Sequence, residues 1–211
     1  MKKIFMTLAA VAVAATMNAQ IYVGGSLGFN SSKTTNEVSM DGVTASTDQS
    51  STQFTFSPEV GYKLNDNMAV GLALGFGTGS KDAVIEDYDG TIKNTSFTIQ
   101  PYFRYTFVKW DKVSLFADAE LGYTTGKDTY EISEDNVTVS TDVKSNAFHF
   151  AIVPGIAYQA SEKISVVAKL GAGLGYWYTK QEPTDEVSIS TSEFGLNLNS
   201  LGLSLGVYYN F

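Results

Sequence analysis

Six ionisable side chains stand apart in this 211-residue chain because each interrupts a run of apolar or small residues: Glu59, Arg104, Asp118, Glu120, His149 and Lys169. Arg104 is the only Arg and His149 the only His. A guanidinium beside a carboxylate can form a bidentate ion pair, and an imidazole can act as a general base or a metal ligand. Counted from the nearest predicted turn, Glu59, Arg104, Asp118 and Lys169 lie at similar depth, which places two acids and two bases in one layer. Opposite charges in a narrow space neutralise one another, so the expectation is an internal salt-bridge plug rather than a reactive cluster. Neither a second His nor a Ser in a recognisable nucleophile elbow accompanies His149, and Asp118 or Glu120 is expected to hold its ring by a hydrogen bond. No catalytic residue, cofactor or metal site is therefore predicted. Cys is absent, which removes disulfides and thiolate chemistry.

The elements that must position these residues begin after a leader. Met1-Lys2-Lys3, the uncharged run Ile4 to Ala15 and the small-residue end Met17-Asn18-Ala19 read as a secretory signal peptide over residues 1–19, leaving a single domain over 20–211. That apolar run is too short to span a bilayer as a helix. Without it the chain carries 12 basic against 22 acidic side chains, a net charge of −10, which argues against nucleic acid as a partner.

Beyond the leader, helix signals are nearly missing and alternation dominates. A five-residue phrase recurs four times: Pro58-Glu-Val-Gly-Tyr62, Pro101-Tyr-Phe-Arg-Tyr105, Pro154-Gly-Ile-Ala-Tyr158 and Leu205-Gly-Val-Tyr-Tyr209. Its copies start 43, 53 and 51 residues apart, a spacing that suits one hairpin per copy. Eight strands are predicted near Ile21–Asn30, Thr52–Leu64, Met68–Thr78, Thr95–Val108, Val113–Thr124, Asn146–Tyr158, Ile164–Tyr178 and Ser200–Phe211. Their connections alternate between tight turns (Asn65–Asn67, Lys109–Lys112, Gln159–Lys163) and long loops (Ser31–Ser51, Gly79–Asn94, Thr125–Ser145, Thr179–Asn199).

One face of each strand is continuously apolar, and its aromatics collect at the two ends. At the long-loop ends stand Phe29, Phe54, Phe76, Phe97, Tyr123, Phe148 and Tyr178; at the short-turn ends, Tyr62, Tyr105, Tyr158, Tyr209 and Phe211. Two aromatic belts around an aliphatic band mark a lipid-facing surface. The opposite face is small, and among its larger members are Gln100, Tyr102 and Trp177 with the six ionisable residues. Pro lacks the N–H that a ladder needs, so Pro58, Pro101 and Pro154 are expected at β-bulges. Phe194, Leu196 and Leu198 fall out of phase with Leu201–Phe211, so the last strand either carries a bulge near Asn199-Ser200 or starts late. In the third long loop, Tyr130 and Ile132 opposite Val137 and Val139 suggest a protruding β-ribbon.

With this pattern the chain resembles the small eight-stranded outer-membrane barrels, like the OmpA transmembrane domain and OmpX, in the porin-family version common in Bacteroidetes. The resemblance covers about Gln20 to Phe211 and rests on the leader, the strand count, the inward charges and the terminal Leu203-Ser-Leu-Gly-Val-Tyr-Tyr-Asn-Phe211. It implies an all-β, eight-stranded antiparallel up-and-down transmembrane barrel with short periplasmic turns and long extracellular loops. It also implies that Leu205, Val207, Tyr209 and Phe211 form the signal read by the barrel-assembly machinery. The expected address is the bacterial outer membrane, with its lipid and lipopolysaccharide as surroundings. The expected role is non-enzymatic: an envelope component presenting acidic loops to a surface partner. Rival readings are a small or gated pore, a membrane-embedded lipid-modifying enzyme and a periplasmic lipocalin-like carrier.

Overall fold

The computed structural model describes residues 20–40, 43–85, 88–134, 137–170, 173–184, 187–196 and 203–211; the leader predicted over residues 1–19 lies outside them. All ten strands among the described residues belong to one antiparallel sheet: β1 (Ile21–Met40), β2 (Val43–Lys63), β3 (Met68–Ile85), β4 (Tyr88–Trp110), β5 (Val113–Glu134), β6 (Val137–Gln159), β7 (Ile164–Leu170), β8 (Leu174–Thr184), β9 (Val187–Leu196) and β10 (Leu203–Asn210). Each of the first six pairs with its successor, β7 pairs β10, and β10 returns to β1. That ring of eight is the expected closed barrel, and closure leaves no sheet edge at its level. Two staves are interrupted: β8 continues the line of β7 beside β6, and β9 pairs β8. The last stave resumes at Leu203, and Leu198 with Leu201 lies outside the described residues.

Alternation sorts the side chains as a closed ring demands. Leu27, Phe56, Leu72, Ile99, Phe103, Leu121, Ile152, Val166, Leu205 and Val207 are exposed on the outside, an apolar surface that water would not tolerate at this extent. The buried side chains point inward, where Tyr22, Phe116, Val167 and Tyr208 form the apolar part of the core. Pairing aligns the aromatics into two bands: Phe29 opposite Phe54, Phe76 opposite Phe97, and Tyr123, Phe148 and Tyr178 in one row; at the other end stand Tyr62, Tyr105, Tyr158 and Tyr209. Phe148 and Tyr158 are ten residues apart on β6, which at about 3.3 Å per residue and a tilt of about 40° separates the bands by roughly 25 Å.

Local chemistry explains the tight turns. The Asn65 side chain accepts hydrogen bonds from the backbone N–H groups of Asn67 and Met68, both at 2.9 Å. Ser161 does the same for Lys163 and Ile164 at 3.3 and 3.1 Å. Asp111, between Trp110 and Val113, takes a left-handed φ of 50°, which Asp tolerates better than most residues.

Pro58 and Pro101 do not sit at the expected bulges. Pro58 pairs Gly25, and Pro101 pairs Leu72; on the side of the following strand the ladder skips each of them and resumes in unchanged register. The missing N–H thus costs a gap in one ladder and no extra residue. Pro154 pairs Ala117, while on its other side the register advances by two between Gly155–Lys169 and Ile152–Leu174. Leu205, the repeat's one non-proline, is paired on both sides. The register shift in the β4–β5 ladder lies instead between Thr106 and Val108, and it leaves both Phe107 and Val108 on the outer surface.

The predicted long loops are largely strand. β1 and β2 stay paired to Met40–Val43, β3 and β4 to Ile85–Tyr88, β5 and β6 to Glu134–Val137, and β8 and β9 to Thr184–Val187. These segments are rich in Thr, Ser and Val, which suit a pleated backbone without needing a buried face. Cross-strand pairs support them: Lys93 with Glu131 at 2.7 Å, Asn94 with Asp128 at 2.7 Å, and Lys127 with Asp142 at 2.9 Å. Thr129 donates a second hydrogen bond to Asp142 at 2.7 Å, and the bonds from Lys127 and Thr129 hold that carboxyl below the ordinary aspartate range. A depressed folded value means that the pair's support is present above the ordinary Asp value of about 4 and is lost as pH falls through the lower folded one. Amide exchange in the β5–β6 ribbon, corrected for its intrinsic rate, should therefore stay constant above about pH 5 and accelerate below about pH 4. In Asp142→Asn this acid-dependent step should be absent.

Candidate functional site

Period-two alternation on six of the eight ring strands sends large side chains to one level of the lumen: Tyr22 from β1, Glu59 from β2, Tyr102 and Arg104 from β4, Phe116, Asp118 and Glu120 from β5, Lys169 from β7 and Tyr208 from β10. Strands β3 and β6 supply the space with Ala69, Gly71, Ala73 and Gly155. Arg104 stands directly across the ladder from Asp118 and binds it in bidentate fashion, Nε to Oδ1 and Nη2 to Oδ2, each at 2.7 Å. Asp118 has 0% of its surface exposed, so the pair is sealed. The guanidinium also lies 4.0 Å from the centroid of the Phe116 ring and 5.3 Å from those of Tyr102 and Tyr208.

From this pair the network crosses the barrel. Arg104 donates to the Tyr208 hydroxyl at 3.3 Å, and Tyr208 donates to Glu59 at 2.8 Å. Lys169 donates to the other Glu59 oxygen at 3.0 Å and stands 3.7 Å from Asp118 and 3.8 Å from Glu120. The Tyr22 and Tyr102 hydroxyls share a hydrogen bond of 2.8 Å. Three carboxylates thus face two cations, and Glu120 is the acid with no hydrogen bond of its own among the described residues.

Five rings in the lumen lie over a glycine directly across the ladder: Tyr22 over Gly61, Tyr208 over Gly24, Tyr102 over Gly71, Phe116 over Gly155 and His149 over Gly122. A β-carbon at any of these glycines would overlap the ring, so the small residues are places for rings to lie. This corrects the expectation for His149: no hydrogen bond joins its ring to Asp118 or Glu120 among the described residues. It stands two residues before Ala151, the partner of Glu120, on β6, and faces Trp177 on β8.

Of the residues expected in the plug, the structure brings together Glu59, Arg104, Asp118, Glu120 and Lys169, and Tyr22, Phe116 and Tyr208, which local pattern does not single out, complete the layer. Their one signal was phase: Tyr22 alternates with Gly24 and Ser26, Phe116 with Asp118, and Tyr208 with Gly206. Among the described residues no group of three or more His, Asp or Glu is arranged to hold a metal ion.

A closed antiparallel ring with an apolar exterior about a bilayer core in height and an ionic, side-chain-filled interior is a transmembrane β-barrel of the outer-membrane type. The chain belongs to the outer membrane protein beta-barrel domain family, whose model matches residues 4–211. This places it in the bacterial outer membrane and sets aside the periplasmic carrier. A search of curated protein sequences gives no match. Among solved structures, the chain is similar to the translocator domain of the autotransporter NalP from Neisseria meningitidis, with 11% identity and a TM-score of 0.53 over 100% of this chain and 95% of that one. It is also similar to the outer membrane protein OprG from Pseudomonas aeruginosa (15% identity, TM-score 0.49, 91% and 96% covered). A third is a major outer membrane protein from Thermus thermophilus (17% identity, TM-score 0.49, 91% and 98% covered).

Removing one partner of a sealed ion pair leaves a buried charge, so Arg104→Ala should lower stability by about 3–5 kcal/mol, measured by urea unfolding in lipid vesicles. The double variant Arg104→Ala/Asp118→Ala should cost less than the two single changes added together. In the same assay Gly71→Ala, which drives a methyl group into Tyr102, should cost about 1–3 kcal/mol. Gly28→Ala, whose new carbon meets only Thr55 Cβ at 3.6 Å, should be close to neutral.

Proposed function

We propose that the protein is a non-enzymatic structural component of the outer membrane that presents its four acidic β-ribbons at the cell surface for adhesion to a host or partner surface. The observation that carries this reading is the closure of the lumen at mid-height. A cavity of about 380 Å³ above the ionic layer and one of about 330 Å³ below it share no lining residue. A barrel stoppered in this way contributes a rigid wall and a scaffold, and the chain's remaining accessible chemistry lies in the ribbons. Among the described residues, β6 from Val137 to Val143 pairs only β5, and β1 from Phe29 to Met40 pairs only β2. Such half-paired strands suit a partner that binds by strand addition. The short turns then face the periplasm. Leu205, Val207, Tyr209 and Phe211, at the end of the closing strand, serve as the segment read by the assembly machinery. The two aromatic bands sit at the boundaries of lipid and lipopolysaccharide with water.

A gated pore is the second reading, favoured by the position of a charged stopper between two cavities. An enzymatic reading rests on His149 alone, and its ring packs on Gly122 with no acid or hydroxyl bonded to it among the described residues.

Deleting all four ribbons beyond the outer aromatic band, while keeping the heat-dependent gel mobility of a folded barrel, should abolish binding of intact bacteria to host-cell or matrix surfaces. Undiminished binding would sink the presentation reading. In planar bilayers the unaltered protein should show no discrete conductance; steps that grow strongly in Arg104→Ala would turn the assignment toward a gated pore.

A further inference from the structure

The ionic layer is not balanced by count: three acids, Glu59, Asp118 and Glu120, face two bases, Arg104 and Lys169. Both oxygens of Glu59 are occupied, one by Lys169 and one by Tyr208, and both of Asp118 by Arg104. Glu120 remains. Only 8% of its side chain is exposed, it accepts no hydrogen bond from the described residues, and its nearest cation stands 3.8 Å away while bonded to Glu59 at 3.0 Å. Among the described residues, no side-chain N or O atom is both sealed from solvent and without a hydrogen bond. The Glu120 oxygens therefore open into the space beside them, the 380 Å³ cavity that Glu120 lines.

The rest of that cavity is uncharged apart from the floor. Gln53, Gln100 and Asn30 offer amides to its walls, and Trp177 with His149 forms one side. Trp177 sits across β6 from Glu120, one inward step further from the ionic layer, because Glu120 pairs Ala151 whereas Trp177 pairs His149. Two residues along a strand advance about 7 Å. A buried carboxylate without a donor attracts a positively charged or strongly donating group, and an indole face attracts a flat apolar one. One acid beyond the number that the two bases can match suits, when ionised, a monocation.

We propose that the upper lumen is a binding cup for a small organic monocation, with its ammonium on Glu120 and its apolar or aromatic body against Trp177. Tyramine, a primary ammonium two carbons from a phenol ring, is a compact probe of this class. Anionic ligands are rejected by the same excess charge.

The chain contains two tryptophans, and the other, Trp110, is 81% exposed at the far end of the barrel. In a Trp110→Phe background, Trp177 is the sole indole reporter. Barrel purified from outer membranes in non-ionic detergent, at about pH 8, where a free imidazole is neutral, should show a saturable change in fluorescence on titration with tyramine. The anionic analogue 4-hydroxyphenylacetate should give none. Adding Glu120→Gln should weaken tyramine binding at least tenfold while the heat-dependent gel shift stays intact. The proposal is overturned by the absence of a saturable response, by equal responses to the amine and the acid, or by tyramine affinity unchanged in folded Glu120→Gln. Should that variant fail to fold, the comparison of amine with acid on the unaltered lumen still decides.

Discussion

A ring of eight strands encloses a lumen narrow enough for side chains to bridge, and most of this structure follows from how one layer of them fills it at mid-height. The bidentate Arg104–Asp118 pair is the centre of the solution. A guanidinium cannot be buried without an anion, and an anion sealed like Asp118 cannot be left without donors. Once the pair is in place, the other ring strands either send groups that extend its network, as Tyr208 does to Arg104 and Glu59 does to Tyr208, or withdraw their side chains. The glycines across from Tyr22, Tyr102, Phe116 and Tyr208 are that withdrawal. Charge and volume are thus settled together in one layer, and the same layer divides the lumen into an upper and a lower cavity.

The outward face answers to a different solvent and obeys a simpler rule. Lipid asks only for apolar surface and for aromatic rings at its boundaries, so each hairpin repeats nearly the same phrase. The four repeated Tyr side chains mark one boundary, and the residues at the start of each phrase point into the hydrocarbon band. Proline is tolerated there because its lost N–H leaves one gap in one ladder while the other ladder holds the register, as at Pro58 and Pro101. Inside the barrel the same phrase varies: Glu59, Tyr102 and Arg104 on the early strands, Gly155 and Gly206 on the later ones. The repeat is symmetric toward the membrane and asymmetric toward the lumen.

Beyond the membrane the ring opens. Pairing continues up the four ribbons, but β9 and β1 are not joined among the described residues, so the upper tier is a sheet with free edges rather than a closed wall. Its stability rests on exposed cross-strand contacts such as Lys127–Asp142, each worth little alone. That contrast between a sealed lower half and a weakly held upper half is what allows surface segments to engage a partner without disturbing the barrel.

The sequence by itself determined the fold class, the strand phase, the aromatic bands and the opposition of Arg104 to Asp118, because all of these depend on a period of two and on short turns that set local register. It also carried the phase of Tyr22, Phe116 and Tyr208, although nothing local shows that residues far apart in the chain, such as Tyr22 and Tyr102, will touch across a lumen. Ribbon length was underestimated because Ser- and Thr-rich segments look like loops when no face of theirs is buried. The proline gaps, the shift at Thr106–Val108 and the ring-over-glycine pairs were decided by tertiary structure alone, since each depends on which residue lies opposite in a neighbouring strand. The uncompensated position of Glu120 belongs to the same group. Composition can count three acids and two bases, but only the closed ring decides which acid is left without a donor, because hydrogen bonding acts over about 3 Å and a sequence has no such distances.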